Sequence, residues 1–281
     1  LDQKCDQAVG AFQDYLSKYP NGGYVQNATF YSADCLYRAK QYDAALPGME
    51  KTVKSGNSQF LESALYACSD ILYRNKSWEG ALDYYAQLEQ KASLPANVLA
   101  GQVGQLRCLE ELKRSSDAAK VAQRILKNSD ANDDLKAEAG LAVAQGALDG
   151  NELDVAYTRY KAIAAGSKNA YGAEAAYNMA YVRYLQKNFK DAEKQVFDLV
   201  KKFPSYDHWK AKGFILLGDV YVGMDDSFQA KTTLQSVIDH CTEPDLVAQA
   251  SARLAQIDAP KAAPPDSPSD PTDTVPTPGD R

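Results

Sequence analysis

Apolar side chains recur three and four positions apart along most of the chain, which is the period of one face of an α-helix. Two stretches that show the pattern are Phe30, Ala33, Leu36 and Tyr37, and Ala176, Met179, Ala180 and Val182. Alanine-rich runs such as residues 137–147 combine high helix propensity with low strand propensity. The pattern therefore predicts an all-α protein built from short helices.

The helical pattern repeats itself every 36 to 38 residues. Each repeat is marked by an alanine that stands four positions before a large residue in most copies. These marks are Ala8, Ala45, Ala81, Ala118, Ala156, Ala192 and Ala230. Twelve positions before five of them lies a small residue, namely Ala33, Ser69, Ala144, Ala180 and Gly218. The repeat of Ala118 departs from this rule, because Leu106 holds that position and Gly104 lies two residues away.

Each repeat is expected to form a helix, a short turn and a second helix, since small residues let two helices approach closely. Proline disfavours helix in the residue before it, so Tyr19-Pro20 and Phe203-Pro204 are expected to separate repeats. One helix pair cannot bury its apolar face alone, and neighbouring pairs therefore stack. We predict a right-handed superhelical α-solenoid of antiparallel helix pairs.

The predicted solenoid covers residues 1–258, with a half repeat over 1–20, six repeats over about 24–245 and a capping helix over 246–258. Residues 259–281 hold seven of the twelve prolines and no aromatic residue. Such a segment buries too little apolar surface to offset its ordering entropy, so we expect a disordered or extended tail. It would be an inert terminus, or else a tether or docking arm. Because residue 1 lies within a helical pattern, we expect the chain to be a processed fragment.

Composition argues against several functions. The formal net charge is −6, so the chain lacks the basic footprint of a nucleic-acid-binding protein. No run of 18 apolar residues occurs, and we expect no transmembrane segment. The five cysteines lack C-x-x-C spacing and the two histidines lack metal-ligand spacing, so we expect no metal, no cofactor and no catalysis.

The marks of the repeat resemble those of tetratricopeptide repeats. The small residue, the aromatic residue nine positions later and the alanine three positions after that are Ala33–Tyr42–Ala45, Ser69–Trp78–Ala81 and Ala180–Phe189–Ala192. The Tyr-Pro and Phe-Pro stops are similar to those of bacterial envelope members of this family. The resemblance implies a non-catalytic scaffold whose concave groove holds a peptide or a partner domain, and it favours a periplasmic or cell-envelope location.

The resemblance also implies which side chains face the groove, namely those 18, 15, 11, 8 and 7 positions before an alanine mark. The candidate partner-binding residues are Asn27, Phe30, Asp34, Tyr37, Arg38, Tyr66, Asp70, Tyr73, Arg74, Tyr177, Tyr181 and Tyr184. Tyrosine offers a large contact area, and arginine can hold a carboxylate with two hydrogen bonds. Alternatively, the Asp-Arg pairs at i,i+4 only steady their helices and the tyrosines only pack between repeats.

The third and fourth repeats lack these tyrosines. Their groove positions carry Arg107, Glu110 and Glu111, followed by Leu141, Gln145 and Asp149. We therefore expect two separate binding patches, or a central spacer, rather than one continuous site. Two other functions stay open: a solenoid that binds glycans or peptidoglycan, and a structural array that self-associates through the leading half repeat.

Overall fold

The structure of the protein is a computed structural model that describes residues 2–56 and 59–259. Within these ranges it contains fourteen α-helices and no β-strand. The helices are α1 (Asp2–Lys18), α2 (Val25–Arg38), α3 (Tyr42–Lys54), α4 (Leu61–Arg74), α5 (Trp78–Lys91), α6 (Pro95–Glu111), α7 (Ser115–Lys127), α8 (Asp133–Asp149), α9 (Leu153–Gly166), α10 (Ala170–Leu185), α11 (Phe189–Lys202), α12 (Asp207–Gly223), α13 (Ser227–His240) and α14 (Pro244–Asp258).

Six consecutive helix pairs, from α2–α3 to α12–α13, form the body of the molecule. Each helix packs mainly against helices one or two places away along the chain. This confirms the predicted all-α solenoid of antiparallel helix pairs. We call α2, α4, α6, α8, α10 and α12 the first helices and α3, α5, α7, α9, α11 and α13 the second helices. The last helix, α14, packs on α12 and α13 as a further first helix would.

The alanine marks lie in the core of the stack. All six marks from Ala45 to Ala230 are at most 1% exposed. The residues four positions after them are also buried, and they are Met49, Tyr85, Ala122, Tyr160, Val196 and Leu234. A larger residue at a mark would need space that these contacts already fill, which explains why the repeat keeps alanine there.

Six residues in the turns between paired helices adopt the left-handed backbone conformation. They are Lys40, Lys76, Lys113, Asn151, Lys187 and Asp225, with φ between 57° and 60°. Each lies five positions before an alanine mark. The following residue closes the helix end by donating its N–H to a carbonyl five residues back, as Asn188 does to Arg183 at 2.9 Å. The six turns are therefore copies of one helix-ending motif.

Polar contacts fix neighbouring repeats against each other. The carboxylate of Glu62 in α4 accepts hydrogen bonds from Ser93 N at 2.8 Å, Ser93 Oγ at 2.6 Å and Asn97 Nδ2 at 2.8 Å. These hydrogen bonds lower the pKa of Glu62 to about 2. The start of α6 is thereby held at the start of α4, so successive first helices lie side by side on one face.

Parts of the domain prediction lie outside the described residues, namely Leu1, residues 57–58 of the predicted repeats and residues 260–281 of the predicted tail. The closing helix begins at Pro244, two residues before its predicted start, since proline is well suited to the first turn of a helix. The division of residues 1–258 into a half repeat, six repeats and a cap remains our proposal.

Candidate binding groove

The groove is the face of the solenoid that the first helices line, and the predicted site residues divide into three groups there. Tyr37, Tyr66, Asp70 and Arg74 come together between α2 and α4. Tyr177, Tyr181 and Tyr184 line up along α10. Apart from Phe30, which is described below, the remaining residues lie separately. Asn27 is half-buried, Arg38 pairs with Asp34 at 2.8 Å, and Tyr73 packs edge-on against Trp78 with 4.8 Å between ring centroids.

Phe30 occupies the core rather than the groove surface. Its ring stacks on that of Phe60 with 4.2 Å between centroids, and only 6% of the residue is exposed. Phe60 lies just before α4, so Phe30 seals the second repeat against the first. A buried, fully stacked ring is not available to a partner, and the predicted contact surface therefore loses this residue.

Asp70 is the centre of the first group. It accepts a hydrogen bond from Tyr37 Oη at 2.7 Å and another from Arg74 Nε at 2.8 Å. Burial and the hydrogen bond to Asp70 raise the pKa of Tyr37. The guanidinium of Arg74 also lies 5.2 Å from the ring centroid of Tyr42. Arg74 is therefore held by partners within the protein, which orients its outer edge toward the groove.

A cleft of about 470 Å³ opens beside this group, between α4 and α6. Its lining combines aromatic rings with cations: Tyr66, Tyr73, Trp78, Tyr85, Arg74, Lys76 and Arg107. Arg107 forms a bidentate ion pair with Glu138 of α8, with 2.9 Å from Nε to Oε1 and 3.2 Å from Nη2 to Oε2. Lys76 forms no ion pair with any residue that the structure describes. We call this the N-terminal cleft.

The middle of the groove is acidic. A second cleft, of about 390 Å³, is lined by Glu110, Lys113, Ser115, Ala118, Ala142, Gln145, Asp149 and Glu174. Desolvation raises the pKa of Glu110 to about 7, and the nearby carboxylates of Glu138 and Glu174 add to the rise. Three acids on successive first helices thus repel one another across the groove. This acidic stretch separates the N-terminal cleft from the tyrosines of α10.

The three tyrosines of α10 form a row of stacked rings. The ring centroids of Tyr177 and Tyr181 are 6.4 Å apart with an angle of 7° between the planes, and those of Tyr181 and Tyr184 are 6.4 Å apart at 23°. We call these three residues the tyrosine row. Their hydroxyl groups form no hydrogen bond with any side chain or backbone group in the described part of the chain.

Further residues surround the tyrosine row. Lys212 Nζ lies 4.5 Å from the ring centroid of Trp209 and 4.9 Å from that of Tyr177. Burial lowers the pKa of Lys212, although Glu174 opposes the change. Beyond it, Arg253 Nε of α14 lies 2.9 Å from both carboxylate oxygens of Asp219 in α12. A cation and an ion pair therefore border the row on its C-terminal side.

The candidate residues did not include Lys212, Trp209 or Arg253, and Arg107 was assigned a groove position without being named as a candidate. A signal for Lys212 was present, since it lies 18 positions before Ala230, the same offset that selected Asn27. Arg253 follows Asp219 by 34 positions, and treating α14 as a seventh first helix would have found it. Trp209 has no such signal, because the groove offsets pass over its position.

The histidines lie at the surface. His208 Nδ1 is 2.7 Å from Glu243 Oε2, and His240 Nδ1 is 2.8 Å from the carbonyl oxygen of Ser236. The described residues contain no group of three or more His, Cys, Asp or Glu side chains arranged to hold a metal ion. Among the helices in the described ranges, none is both long and apolar enough to cross a bilayer.

The stacked helix pairs, buried alanine marks and groove define a solenoid of the tetratricopeptide-repeat type. No family model matches the sequence. No curated protein matches it either.

Solved structures with a similar fold include the apo form of RapI, with 13% identity, a TM-score of 0.54 and coverage of 82% of this chain and 95% of that one. PilW, described as a widely conserved type IV pilus biogenesis factor, has 15% identity and a TM-score of 0.53, over 81% of this chain and 98% of that one. BtubC from P. vanneervenii has 15% identity and a TM-score of 0.52, over 84% and 97%. At such identities the likeness establishes the fold alone.

Proposed function

We propose that the protein is a non-catalytic interaction scaffold that binds an extended segment of a partner protein in its groove. The observation that carries the proposal is the N-terminal cleft, where aromatic rings and guanidinium groups converge on the hollow side of α4 and α6. Tyrosine, tryptophan and arginine are the residues that most often dominate protein interfaces. The cleft is an open trough rather than an enclosed chamber, which suits a chain that passes through it.

The charges in the cleft support binding rather than proton transfer. Arg74 is paired with Asp70 and Arg107 with Glu138, so both cations are oriented before a partner arrives. Side chains that are already fixed lose little entropy on binding, and this preorganisation increases affinity. Their outer N–H groups can donate to a partner's carbonyl or carboxylate oxygens.

Site-specific photo-crosslinking in the producing cell tests the proposal. A benzoylphenylalanine placed at Tyr66, which is 42% exposed in the cleft, is compared with one at Phe197, which is 49% exposed on the second helix α11. We expect a discrete protein adduct from position 66 and none from position 197. Adding Arg74→Ala to the first variant should weaken the adduct severalfold. Equal adducts at both positions, or none at position 66, would contradict the proposal.

We further propose that the protein works in a bacterial envelope. The support is the resemblance of its Tyr19-Pro20 and Phe203-Pro204 stops to those of envelope tetratricopeptide proteins. Fractionation of the native host, with periplasmic and cytoplasmic marker enzymes, tests the location. In the same preparation, a thermal shift with peptidoglycan fragments but without a protein adduct would favour glycan binding instead.

A further inference from the structure

The tyrosine row differs from the tyrosines around it. Between residues 150 and 225 the chain has eight tyrosines, and five of their hydroxyls take part in hydrogen bonds within the protein. These five are Tyr157, Tyr160, Tyr171, Tyr206 and Tyr221. Tyr177, Tyr181 and Tyr184 have no such partner among the residues that the structure describes, although all three are half-buried. Their hydroxyls are therefore free to bind another chain.

Parallel rings with free hydroxyls suit a proline-rich segment. A polyproline II helix makes no internal hydrogen bonds, so its carbonyl oxygens remain available as acceptors. Its proline rings pack against aromatic faces, and this is the usual mode of proline-rich recognition. A row of phenols offers both contacts at once.

The chain contains such a segment itself. In the sequence Pro264-Pro265-Asp266-Ser267-Pro268-Ser269-Asp270-Pro271, three prolines stand three positions apart, at 265, 268 and 271. A polyproline II helix has three residues per turn and rises about 3.1 Å per residue, so these prolines would share one face at spacings of about 9 Å.

The segment begins close enough to reach the row. The described chain ends at Ala259, one residue after α14. The first helices run in the same direction, and α14 continues their series. The end of α14 therefore lies on the same edge of the solenoid as the end of α10, where Tyr184 is located. Two helix-to-helix spacings amount to about 20 Å. Six residues of polyproline II, from Ala259 to Pro265, span about 19 Å.

Charge favours the same placement. Residues 260–281 contain four aspartates against one lysine and one arginine. Lys212, beside Tyr177, forms no ion pair with a described residue, so a carboxylate from Asp270 or Asp273 could pair with it. The acidic middle of the groove, with Glu110 and Asp149, would repel the segment from positions further along.

We propose that residues 264–271 of this chain occupy its own tyrosine row, with Pro265 at Tyr184, Pro268 between Tyr181 and Tyr177, and Pro271 just past Tyr177. The proposal rests on the proposed function, because it treats the groove as a site for extended peptides. The segment then competes with any partner for the C-terminal half of the groove, while the N-terminal cleft stays open.

A competition experiment on the full chain tests this proposal without any change in the solenoid. A fluorescein-labelled peptide with the sequence of residues 262–274 is titrated against the wild-type chain and against the triple variant Pro265→Ser, Pro268→Ser, Pro271→Ser. A tethered segment acts at an effective concentration in the millimolar range. We therefore expect the triple variant to bind the peptide at least about tenfold more tightly. The matched control, Pro276→Ser with Pro278→Ser, should bind it as the wild type does. Equal affinities for the wild type and the triple variant, or no binding to either, would overturn the proposal.

Crosslinking identifies the occupant directly. Benzoylphenylalanine at Tyr181 of the full chain should link to the tryptic peptide 262–281 of the same molecule. Mixing isotope-labelled and unlabelled chains distinguishes this from a link to a second copy, which would overturn the assignment to the same chain. An adduct to a foreign protein at position 181, with none to the tail, would overturn this inference and leave the proposed function intact. If benzoylphenylalanine at position 66 also yields no adduct, both this inference and the proposed function are contradicted.

Discussion

The ring of Tyr85 in α5 fills the space beside Gly104 in α6, such that a Cβ built on Gly104 would lie 2.3 Å from Tyr85 Cδ1. Tyr85 is only 8% exposed and is enclosed by a core cluster with Leu65 and Leu88, so it cannot swing away freely. We expect Gly104→Ala to destabilise the protein by about 1–3 kcal/mol, as overpacking does in other cores. The free energy of unfolding from urea titration measures this effect.

Gly10 provides the matched control, because it lies in a helix and a Cβ there would meet nothing within 4 Å. Alanine has a higher helix propensity than glycine, so Gly10→Ala should stabilise α1 by up to about 1 kcal/mol. A destabilisation of equal size by both substitutions would show that the close contact with Tyr85 is not the cause.

Lys187 adopts φ of 58° in the turn between α10 and α11. This conformation costs a non-glycine residue roughly 1–2 kcal/mol, while glycine loses more backbone entropy on folding, by about 0.5–1 kcal/mol. We expect Lys187→Gly to raise the free energy of unfolding by roughly 0.5 kcal/mol and Lys187→Val to lower it. In the first turn of the next helix, Lys190→Gly should also lower it, by less than the roughly 1 kcal/mol that glycine costs in a helix interior. A loss of stability in Lys187→Gly would contradict the assigned turn.

The pKa of Glu110 is about 7 in the folded protein, raised by desolvation and by Glu138 and Glu174 above the value of 4.5 that an ordinary glutamate has. Between these two values the folded state binds more protons than the unfolded state, so stability falls as pH rises from about 4.5 to 7. Glu110→Gln should therefore be more stable than the wild type at pH 8 and similar to it at pH 4.5. Because Glu110 is open to water on one side, we expect a difference below about 1 kcal/mol.

Thermal unfolding of both proteins across this pH range gives the measurement. Glu111→Gln is the control, since Glu111 is the next residue of α6 and is exposed as Glu110 is. A pH dependence that is the same in wild type and Glu110→Gln would locate the titrating group elsewhere.

Cys68 and Cys108 are completely buried, and burial raises the pKa of each thiol to about 12. Cys241 is half-buried at the end of α13. Thiolates are the reactive form, so Ellman's reagent at pH 8 should modify Cys241 at least about 100-fold faster than the two buried thiols. Cys5 and Cys35 are also half-buried, so Cys241→Ser should remove the contribution of Cys241 from the fast phase without abolishing it. Urea should make all remaining thiols react. Rapid reaction of Cys68 or Cys108 in the native protein would mean that the core opens.

The fold followed from the sequence because one structural constraint recurs in most repeats. A buried alanine, a large residue four positions later and a small residue on the facing helix are local requirements, and each appears directly in the spacing of Ala45, Met49 and Ala33. The third repeat looked like an exception, but Leu106 is core and Gly104 makes room for Tyr85 instead. The left-handed turns were not predicted, because none of the six residues in this conformation is glycine, the usual residue in such turns.

The site was less predictable than the fold. Groove offsets place a residue on a helix face, but they do not show whether a neighbouring repeat covers it. Phe30 has a groove offset and is nevertheless sealed by Phe60, which comes from the next repeat. Lys212 and Arg253 border the tyrosine row through contacts between α10, α12 and α14, and contacts across repeats depend on the stacking angle rather than on one helix.

The packing of each helix against near neighbours only has a consequence for how the molecule comes apart. In such an array, damage in one unit weakens the adjacent units and leaves distant ones intact. Unfolding therefore starts at a terminal repeat and spreads to the adjacent repeats. Amide hydrogen exchange should be fastest in α1 and slowest around α8. The two halves of the groove can unfold locally and independently, so a partner bound to one half would stabilise that half alone.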